Sequence, residues 1–212
     1  MFIVKRKIAE LLVECILKNE KMGVRKILNT IYVPEILQGG DYRPLHVAVK
    51  NGRADIIDML IKAGANVNLL EALTGKTPIF FATNYEILKM LIDAGADVNA
   101  QDEHDHNTVI HESEMPFDCM RLILNSGFNL NITNRMGWNV LHMHTAYRNS
   151  ANIELIIEAG VDVRRKNNND KTAIDLAKIF EVDECISLLE RYNISNELIA
   201  NQKYQPDIEL SL

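Results

Sequence analysis

Two short segments of this sequence concentrate histidine: DEHDHN, residues 102–107, and HMH, residues 142–144. Imidazole nitrogens and carboxylate oxygens are the ligands that zinc commonly uses in proteins. A zinc site, however, needs several fixed ligands that are held in place by further hydrogen bonds, and DEHDHN is typical of a polar loop exposed to water. We therefore predict that the chain holds no metal.

Three cysteines, Cys15, Cys119 and Cys185, lie far apart, and each is flanked by apolar residues in a helix-like segment. This pattern predicts buried, reduced thiols rather than a disulfide framework or an exposed nucleophile. The sequence contains no phosphate-binding glycine loop, no GxSxG and no HExxH. We therefore expect a protein that is not an enzyme, with no cofactor and no small-molecule substrate.

The formal net charge of −6 argues against nucleic acid or an anionic membrane as the main partner, because both require a basic surface. No apolar run has the length of a membrane span. Glu10 and Glu14 interrupt the apolar N-terminal segment, which is typical of an amphipathic helix rather than a signal peptide. We expect a cytoplasmic or nuclear protein, in the cell that produces it or in a host cell.

The elements that position these residues follow from an internal repeat. A small-Gly turn recurs at Gly64, Gly95, Gly127 and Gly160, with spacings of 31, 32 and 33 residues. An apolar helical segment precedes each glycine, and a helix-start signal such as Thr77-Pro78 begins each unit. The glycine ends a helix in a left-handed conformation. One such unit cannot bury its own apolar face, so the units must stack.

The segment RPLHVAVKNGRADIIDMLIKAGANVN, residues 43–68, resembles an ankyrin repeat along almost its whole length. The resemblance covers roughly residues 41–190 and implies an all-α ankyrin-repeat solenoid of stacked helix-turn-helix units with hairpin-like connecting loops. We divide the chain into an N-terminal capping repeat (1–40), central repeats (41–169), a C-terminal capping repeat (170–192) and a tail (193–212). A short helix near residues 197–200 is expected in that tail.

Two adjacent units are shorter than the family pattern. Pro44 and Pro78 are 34 residues apart, whereas the equivalent Val109 and Val140 follow at intervals of 31. About three residues are missing between Ala82 and Tyr85, and the next unit is shortened around residues 114–117. In addition, the loops before Thr77 and Thr108 are one residue longer than the later loops. We predict that the inner helix, or the turn after it, is trimmed in these two units.

The resemblance implies a site for a partner protein on the concave side, at loop-tip and helix-start positions that do not build the stack. The single Trp, Trp138, lies at such a position, although it could instead pack on its own loop as a structural residue. His46, His111 and His142 occupy the family's structural histidine position, where the ring bonds to backbone. The residues that we expect to contact a partner are Tyr42, Arg43, His104, His106, Arg135, Met136, Trp138, Tyr147 and Lys171.

We therefore expect a protein-protein interaction module that acts as a scaffold, a regulatory subunit or an inhibitor of one partner protein. One alternative is a short inhibitor that resembles the IκB class and binds a Rel-type transcription factor. Another is a viral or bacterial effector that acts on a host protein, because the frequent Asn and Ile suggest an AT-rich genome. Fold alone does not decide between these alternatives.

Overall fold

The computed structural model describes residues 2–29, 36–37, 43–82, 84–111 and 115–202, with side chains between Ile3 and Tyr192. These residues form helices and loops and contain no strand, so the fold is the all-α ankyrin-repeat class expected from the sequence. The helices are α1 (Phe2–Leu17), α2 (Lys21–Leu28), α3 (Pro44–Lys50), α4 (Ala54–Lys62), α5 (Tyr85–Asp93), α6 (Phe117–Asn125), α7 (Val140–Ala146), α8 (Ser150–Glu158), α9 (Ala173–Ile179) and α10 (Asp183–Gln202), with 3-10 helices at Pro78–Phe81 and Val109–His111.

The chain divides into two compact units, Met1–Asn129 (unit 1) and Leu130–Leu212 (unit 2). In unit 1, α1, α3 and the 3-10 helix Pro78–Phe81 form an inner row, and α2, α4, α5 and α6 pack side by side as an outer row. In unit 2, α7 packs against α9 in the inner row and α8 against α10 in the outer row. Each unit is therefore a stack of helical pairs.

The apolar stripe of the outer helix forms a large part of the core of each pair, together with buried residues of the inner element such as Leu45 and Val49. In α4, Ile56, Ile57 and Leu60 are fully buried, and Ile87, Leu88 and Leu91 take the same places in α5. Burying such side chains contributes about 1.5–3 kcal/mol each, which is the main stabilising term of the stack. None of the helices in the described residues is long and apolar enough to cross a membrane.

The helix-start signals act as expected in unit 2 and differently in unit 1. Asn139 and Thr172 each form a capping box at the start of α7 and α9. Thr77 makes no side-chain capping bond, and the element that it precedes is a 3-10 helix. The sequence signal therefore marks where the inner element begins but does not specify which kind of helix follows.

The trimmed units are shortened in their inner helices. The seven-residue α3 is replaced by the four-residue 3-10 helix Pro78–Phe81 in the next unit and by the three-residue Val109–His111 after that. After Phe81 the chain is extended at Ala82, and the Asn84 side chain accepts from the Ile87 N–H to start α5. This confirms the predicted trimming of the inner helix. The turn around residue 114 lies outside the described residues.

The loop tips confirm the predicted difference in length. In each tip one residue donates its backbone N–H to the carbonyl of a later residue. That later residue is five positions further along the chain in unit 1 and four positions further in unit 2. The pairs are Glu71 to Lys76, Asp102 to Asn107, Asn134 to Trp138 and Asn167 to Lys171, at 2.8–2.9 Å. The tips of unit 1 are therefore one residue longer than those of unit 2.

The last helix, α10, is longer than a repeat helix and ends at Gln202. It crosses the expected boundary between capping repeat and tail at residue 192 without a break. The helix expected near residues 197–200 is part of α10 rather than a separate element. Residues 203–212 lie outside the described part of the chain.

Candidate functional site

The histidines at the family's structural position bind backbone. His46 Nε2 lies 3.1 Å from the Lys76 carbonyl oxygen, and His142 Nε2 lies 3.1 Å from that of Lys171. Each ring therefore donates to the loop tip of the following repeat. Burial lowers the pKa of both imidazoles, although the backbone bond opposes part of this effect. The structural interpretation of these histidines is confirmed.

The His111 ring bonds to the start of its own inner element, as the Nδ1 of His142 does with Asn139. The His111 Nδ1 lies 2.7 Å from Thr108 Oγ1 and accepts from the Thr108 N–H at 3.1 Å, so the ring caps the start of its own 3-10 helix. The ring is buried like those of His46 and His142. All three side chains are thus engaged in the repeat architecture.

His104 and His106, two of the predicted contact residues, lie exposed on the second tip of unit 1. The neighbouring Asp102 is buried, and its Oδ1 accepts from the Asp105 N–H at 2.9 Å, which stabilises the loop. Across the described part of the chain, no group of three His, Cys, Asp or Glu residues is arranged to hold a metal ion. Both histidines are exposed to solvent at this tip.

The three cysteines are buried and unpaired as thiols, as the sequence predicted. Burial raises the pKa of each thiol, and nearby carboxylates such as Glu20 beside Cys15 raise it further. A nucleophilic cysteine requires the opposite, a pKa lowered toward neutrality at an accessible position. The thiols at these positions contribute to the core.

Trp138 stands on a loop tip held by many hydrogen bonds. The Asn134 side chain accepts from the backbone N–H groups of Met136 and Trp138, both at 3.0 Å. From the adjacent tip, Asn168 donates its backbone N–H to the Met136 carbonyl at 3.1 Å and its side-chain amide to the Arg135 carbonyl at 2.9 Å. The residues of this tip are therefore presented on a fixed backbone.

Gly137 permits this close approach of the two tips. Its φ is +72°, and a Cβ at this position would lie 2.8 Å from the backbone nitrogen of Asn168. A larger residue would both strain the turn and push the neighbouring tip away. The sequence RMGWN therefore encodes a tight tip as well as its exposed side chains.

The Trp138 side chain is partly buried. Its ring centroid lies 6.5 Å from that of His142, and the two planes are inclined by 30°. The indole Nε1 is shielded from solvent, and it has no hydrogen-bond acceptor among the described residues. Trp138 thus packs on the inner helix through one side while part of its ring remains accessible.

The other predicted residues of unit 2 surround or extend this position. Met136 is 52% exposed next to Arg135, which is also exposed. Lys171 is exposed, while its backbone carbonyl binds His142, the ring that stacks on Trp138. Tyr147 lies at the far end of α7, about 10 Å along that helix, where its ring meets His144 edge-on. We call segments 132–139 and 165–172 the Trp138 tip surface.

In unit 1, Arg43 lies beside a cleft that the sequence analysis did not identify. The cleft has a volume of about 390 Å³ and lies between α3 and the first loop tip. Leu73, at its edge, is 84% exposed. Lys50 reaches across it to Glu71 Oε1 at 2.5 Å and lies 4.0 Å above the centroid of the Phe81 ring. Tyr42 lies outside the described residues.

The Leu73 cleft was missed because its residues come from two segments that lie apart in the sequence, Arg43 with α3 and the first loop tip. The sequence did offer one signal, an apolar Leu73 in a loop that has no buried face to fill. A smaller cleft of about 280 Å³ lies between the outer helices α5 and α6, lined by Tyr85, Asp118, Arg121, Leu122 and Asn125.

Comparisons with known proteins agree with this architecture. A family model described as ankyrin repeats in three copies matches residues 1–102 of this chain. The chain is 24% identical over 161 residues to the fowlpox virus ankyrin repeat protein FPV230, a match that covers 74% of this chain and 85% of that protein. It is also 24% identical over 126 residues to the fowlpox virus ankyrin repeat protein FPV222, covering 56% of this chain and 17% of the relative.

A further relative is the chicken nuclear factor NF-kappa-B p105 subunit, which is 28% identical over 140 residues. That match covers 63% of this chain and 11% of the p105 subunit. The chain therefore spans most of FPV230 but only a small part of FPV222 and of the p105 subunit.

Proposed function

This chain is an ankyrin repeat protein, and from that premise we propose that it binds a partner protein without catalysis, through the Trp138 tip surface of unit 2. Ankyrin repeats bind other proteins. A stack of this kind inhibits its partner when it covers a functional surface, and it acts as a scaffold or regulatory subunit when it leaves that surface open. We propose the cytoplasm or nucleus as the location, in the producing cell or in a host cell.

The observation that carries this proposal is the combination of a rigid tip with exposed interface-type side chains. Trp, Tyr and Arg dominate the energetics of protein interfaces, and Met adapts to varied apolar surfaces. Arg135, Met136 and Trp138 stand together on a backbone fixed by Asn134 and Asn168. A pre-organised surface loses little entropy when a partner binds, so such residues contribute more to affinity.

The remaining predicted residues form a second, weaker part of the proposal. Arg43, beside the Leu73 cleft, and the exposed His104 and His106 are proposed as partner contacts on unit 1. Tyr42 is proposed with them from its sequence position. On unit 2, Tyr147 extends the proposed contact beyond the tip surface, because its ring is exposed at the end of α7.

The test is a comparative capture experiment. Wild type, Arg135→Ala/Trp138→Ala and the matched control Lys178→Ala/Ile179→Ala are immobilised, and captured proteins are compared by mass spectrometry. The control also removes one cation and one exposed apolar side chain from unit 2. Circular dichroism establishes that each variant is folded.

A protein captured by wild type and by the control, but lost by Arg135→Ala/Trp138→Ala, would support the proposal. A protein retained by all three would move the site away from the Trp138 tip surface. In that case Arg43→Ala/Leu73→Ala tests the cleft of unit 1, and a partner that this variant loses would assign the binding to the cleft.

Two narrower functions are each favoured by one observation. Similarity to the NF-kappa-B p105 subunit favours an IκB-like inhibitor of a Rel-type transcription factor. Similarity to the fowlpox virus proteins favours a viral effector that acts on a host protein. Competition of the purified chain with labelled DNA for a Rel-type factor tests the first, and capture from host-cell lysate tests the second.

A further inference from the structure

We infer that the Trp138 tip surface recognises an acidic segment of its partner, in which carboxylates flank one large apolar residue. This inference rests on the proposed function, since it specifies the chemistry of a partner bound at that surface. The recognition would use the charged and apolar side chains of the two loop tips of unit 2.

The two tips carry a strong local excess of positive charge. Segments 132–139 and 165–172 contain Arg135, Arg165, Lys166 and Lys171, and their only carboxylate is Asp170. The Asp170 carboxylate lies 4.0 Å from the Lys166 ammonium group, and both side chains are well exposed. This ion pair therefore neutralises little of the positive charge of the two tips. The whole chain carries a formal charge of −6, so the charge of these two tips is opposite in sign to that of the chain.

The fold holds the two tips that carry these cations next to each other, beside the partly exposed Trp138. Asn168 bonds to the carbonyls of Arg135 and Met136, which holds the two tips side by side. The His142 ring, which stacks on Trp138, binds the Lys171 carbonyl and also interacts with the backbone of Arg165. Backbone groups of both tips are thereby held close to the stacked His142 and Trp138 rings.

Cationic side chains on the same two tips as an exposed apolar residue are complementary to carboxylates on either side of an apolar residue. Opposite charges at the rim of an interface speed association and exclude partners of the wrong charge. The exposed Met136 and the accessible part of Trp138 provide the apolar contact that carries affinity. Both requirements are met by a short acidic segment with one large apolar side chain.

A nucleic acid is a poorer fit to the same surface. Single-stranded nucleic acid needs a continuous basic groove with aromatic faces on which bases stack. Here the basic region is four side chains on two tips, and the Trp138 ring is partly covered by packing on His142. An acidic protein segment therefore accounts for both the charge and the limited size of the surface.

The experiment selects peptides from a random library of about 12 residues displayed on phage, using the immobilised full chain. Selected peptides are measured against wild type, Arg135→Ala/Lys171→Ala and the matched control Lys178→Ala/Arg191→Ala. Both variants remove two positive charges from exposed positions of unit 2. Trp138→Ala and a fluorescent single-stranded oligonucleotide are tested in parallel.

The inference predicts acidic peptides with a large apolar residue, which bind wild type and control alike. Their affinity should fall at least about tenfold on Arg135→Ala/Lys171→Ala, and it should decrease as salt rises from about 0.05 to about 0.5 M because these charges are exposed.

Several results would overturn the inference. Neutral or basic peptides that are lost on Trp138→Ala would contradict it while leaving the proposed function intact. Peptides that bind all variants equally would contradict both. A failure to enrich any peptide, or oligonucleotide binding that Arg135→Ala/Lys171→Ala abolishes, would show that this surface does not take an acidic peptide.

Discussion

At the level of single residues, the buried histidines 46 and 142 link each inner helix to the tip of the next repeat. Each ring donates to a carbonyl, of Lys76 or of Lys171 respectively, from a nearly fully buried position. Protonation would place a positive charge in this buried environment. We therefore expect these two histidines to make the stability of the fold depend on pH.

We predict that the free energy of unfolding falls as the pH is lowered through about 6.5. Burial lowers the pKa of His46 and His142 in the folded state below the ordinary value of 6.5. The unfolded chain therefore binds protons at a pH where the folded chain does not, and stability is lost with acidification. Urea unfolding at several pH values between about 7.5 and 5.5 measures the effect.

The matched variant His46→Gln/His142→Gln should show a flatter dependence of stability on pH, whatever its absolute stability. If wild type and this variant showed the same slope above pH 5.5, His46 and His142 would not be the groups responsible.

Trp138→Ala is expected to keep the fold. The side chain is only partly buried, and the tip is held by backbone bonds to Asn134 and Asn168 that do not involve the indole. Loss of its packing on His142 should cost about 1–2 kcal/mol. Thermal unfolding followed by circular dichroism measures this; a variant that fails to fold would mean that Trp138 is a structural residue.

At the level of elements, Gly95 ends α5 with a φ of +89°, and a Cβ there would meet no atom within 4 Å. Gly95→Val should therefore lower the free energy of unfolding by about 2 kcal/mol through backbone strain alone. The reason is that a β-branched residue strongly disfavours a positive φ. Gly95→Asn is the matched control, since Asn tolerates this conformation, and should cost less than about 1 kcal/mol. Equal costs in urea unfolding would contradict this explanation.

The Asn99 side chain joins two repeats in unit 1. Its amide donates to the Gly127 carbonyl at 3.2 Å, and its oxygen accepts from the Asn129 N–H at 2.8 Å. Asn99→Ala should lower the free energy of unfolding by about 1–3 kcal/mol, because the Gly127 carbonyl and the Asn129 N–H both lose their bond to the Asn99 side chain. Asn125→Ala, at an exposed helix end, serves as the control. An Asn99→Ala variant as stable as that control would show that water replaces both bonds without cost.

Much of the element structure followed from the sequence, because helix ends and apolar stripes repeat with a fixed spacing. The register of Gly64 and Gly95, the trimmed inner helices and the longer tips of unit 1 were all predicted from it. The change from α-helix to 3-10 helix at Pro78–Phe81 was not predicted. The type of helix depends on the small number of residues between Thr77 and Asn84, which caps the next helix, rather than on the helix propensity of the individual residues.

The candidate site was less predictable than the fold. Exposed positions such as Met136 and Lys171 followed from the repeat register, which gives the side of the unit on which a residue lies. The Leu73 cleft did not, because it requires the relative placement of α3 and the first loop tip. The partial burial of Trp138 against His142 also depends on side-chain packing that spacing does not encode.

At the level of the whole molecule, the chain forms two stacks of helical pairs, each with candidate contacts on its loop tips. Unit 2 carries the tip on which Trp138, Met136 and Arg135 stand together. Unit 1 carries the Leu73 cleft and the exposed His104 and His106. The central claim is that the unit 2 tip carries most of the partner affinity.

The most direct test is the dissociation constant of the captured partner for wild type, Trp138→Ala and the control Lys178→Ala/Ile179→Ala, measured by titration calorimetry. We predict a loss of at least about tenfold for Trp138→Ala and less than about twofold for the control, as expected for a residue at the centre of an interface. Equal affinity of folded Trp138→Ala and wild type would contradict the account and place the binding site elsewhere on the chain.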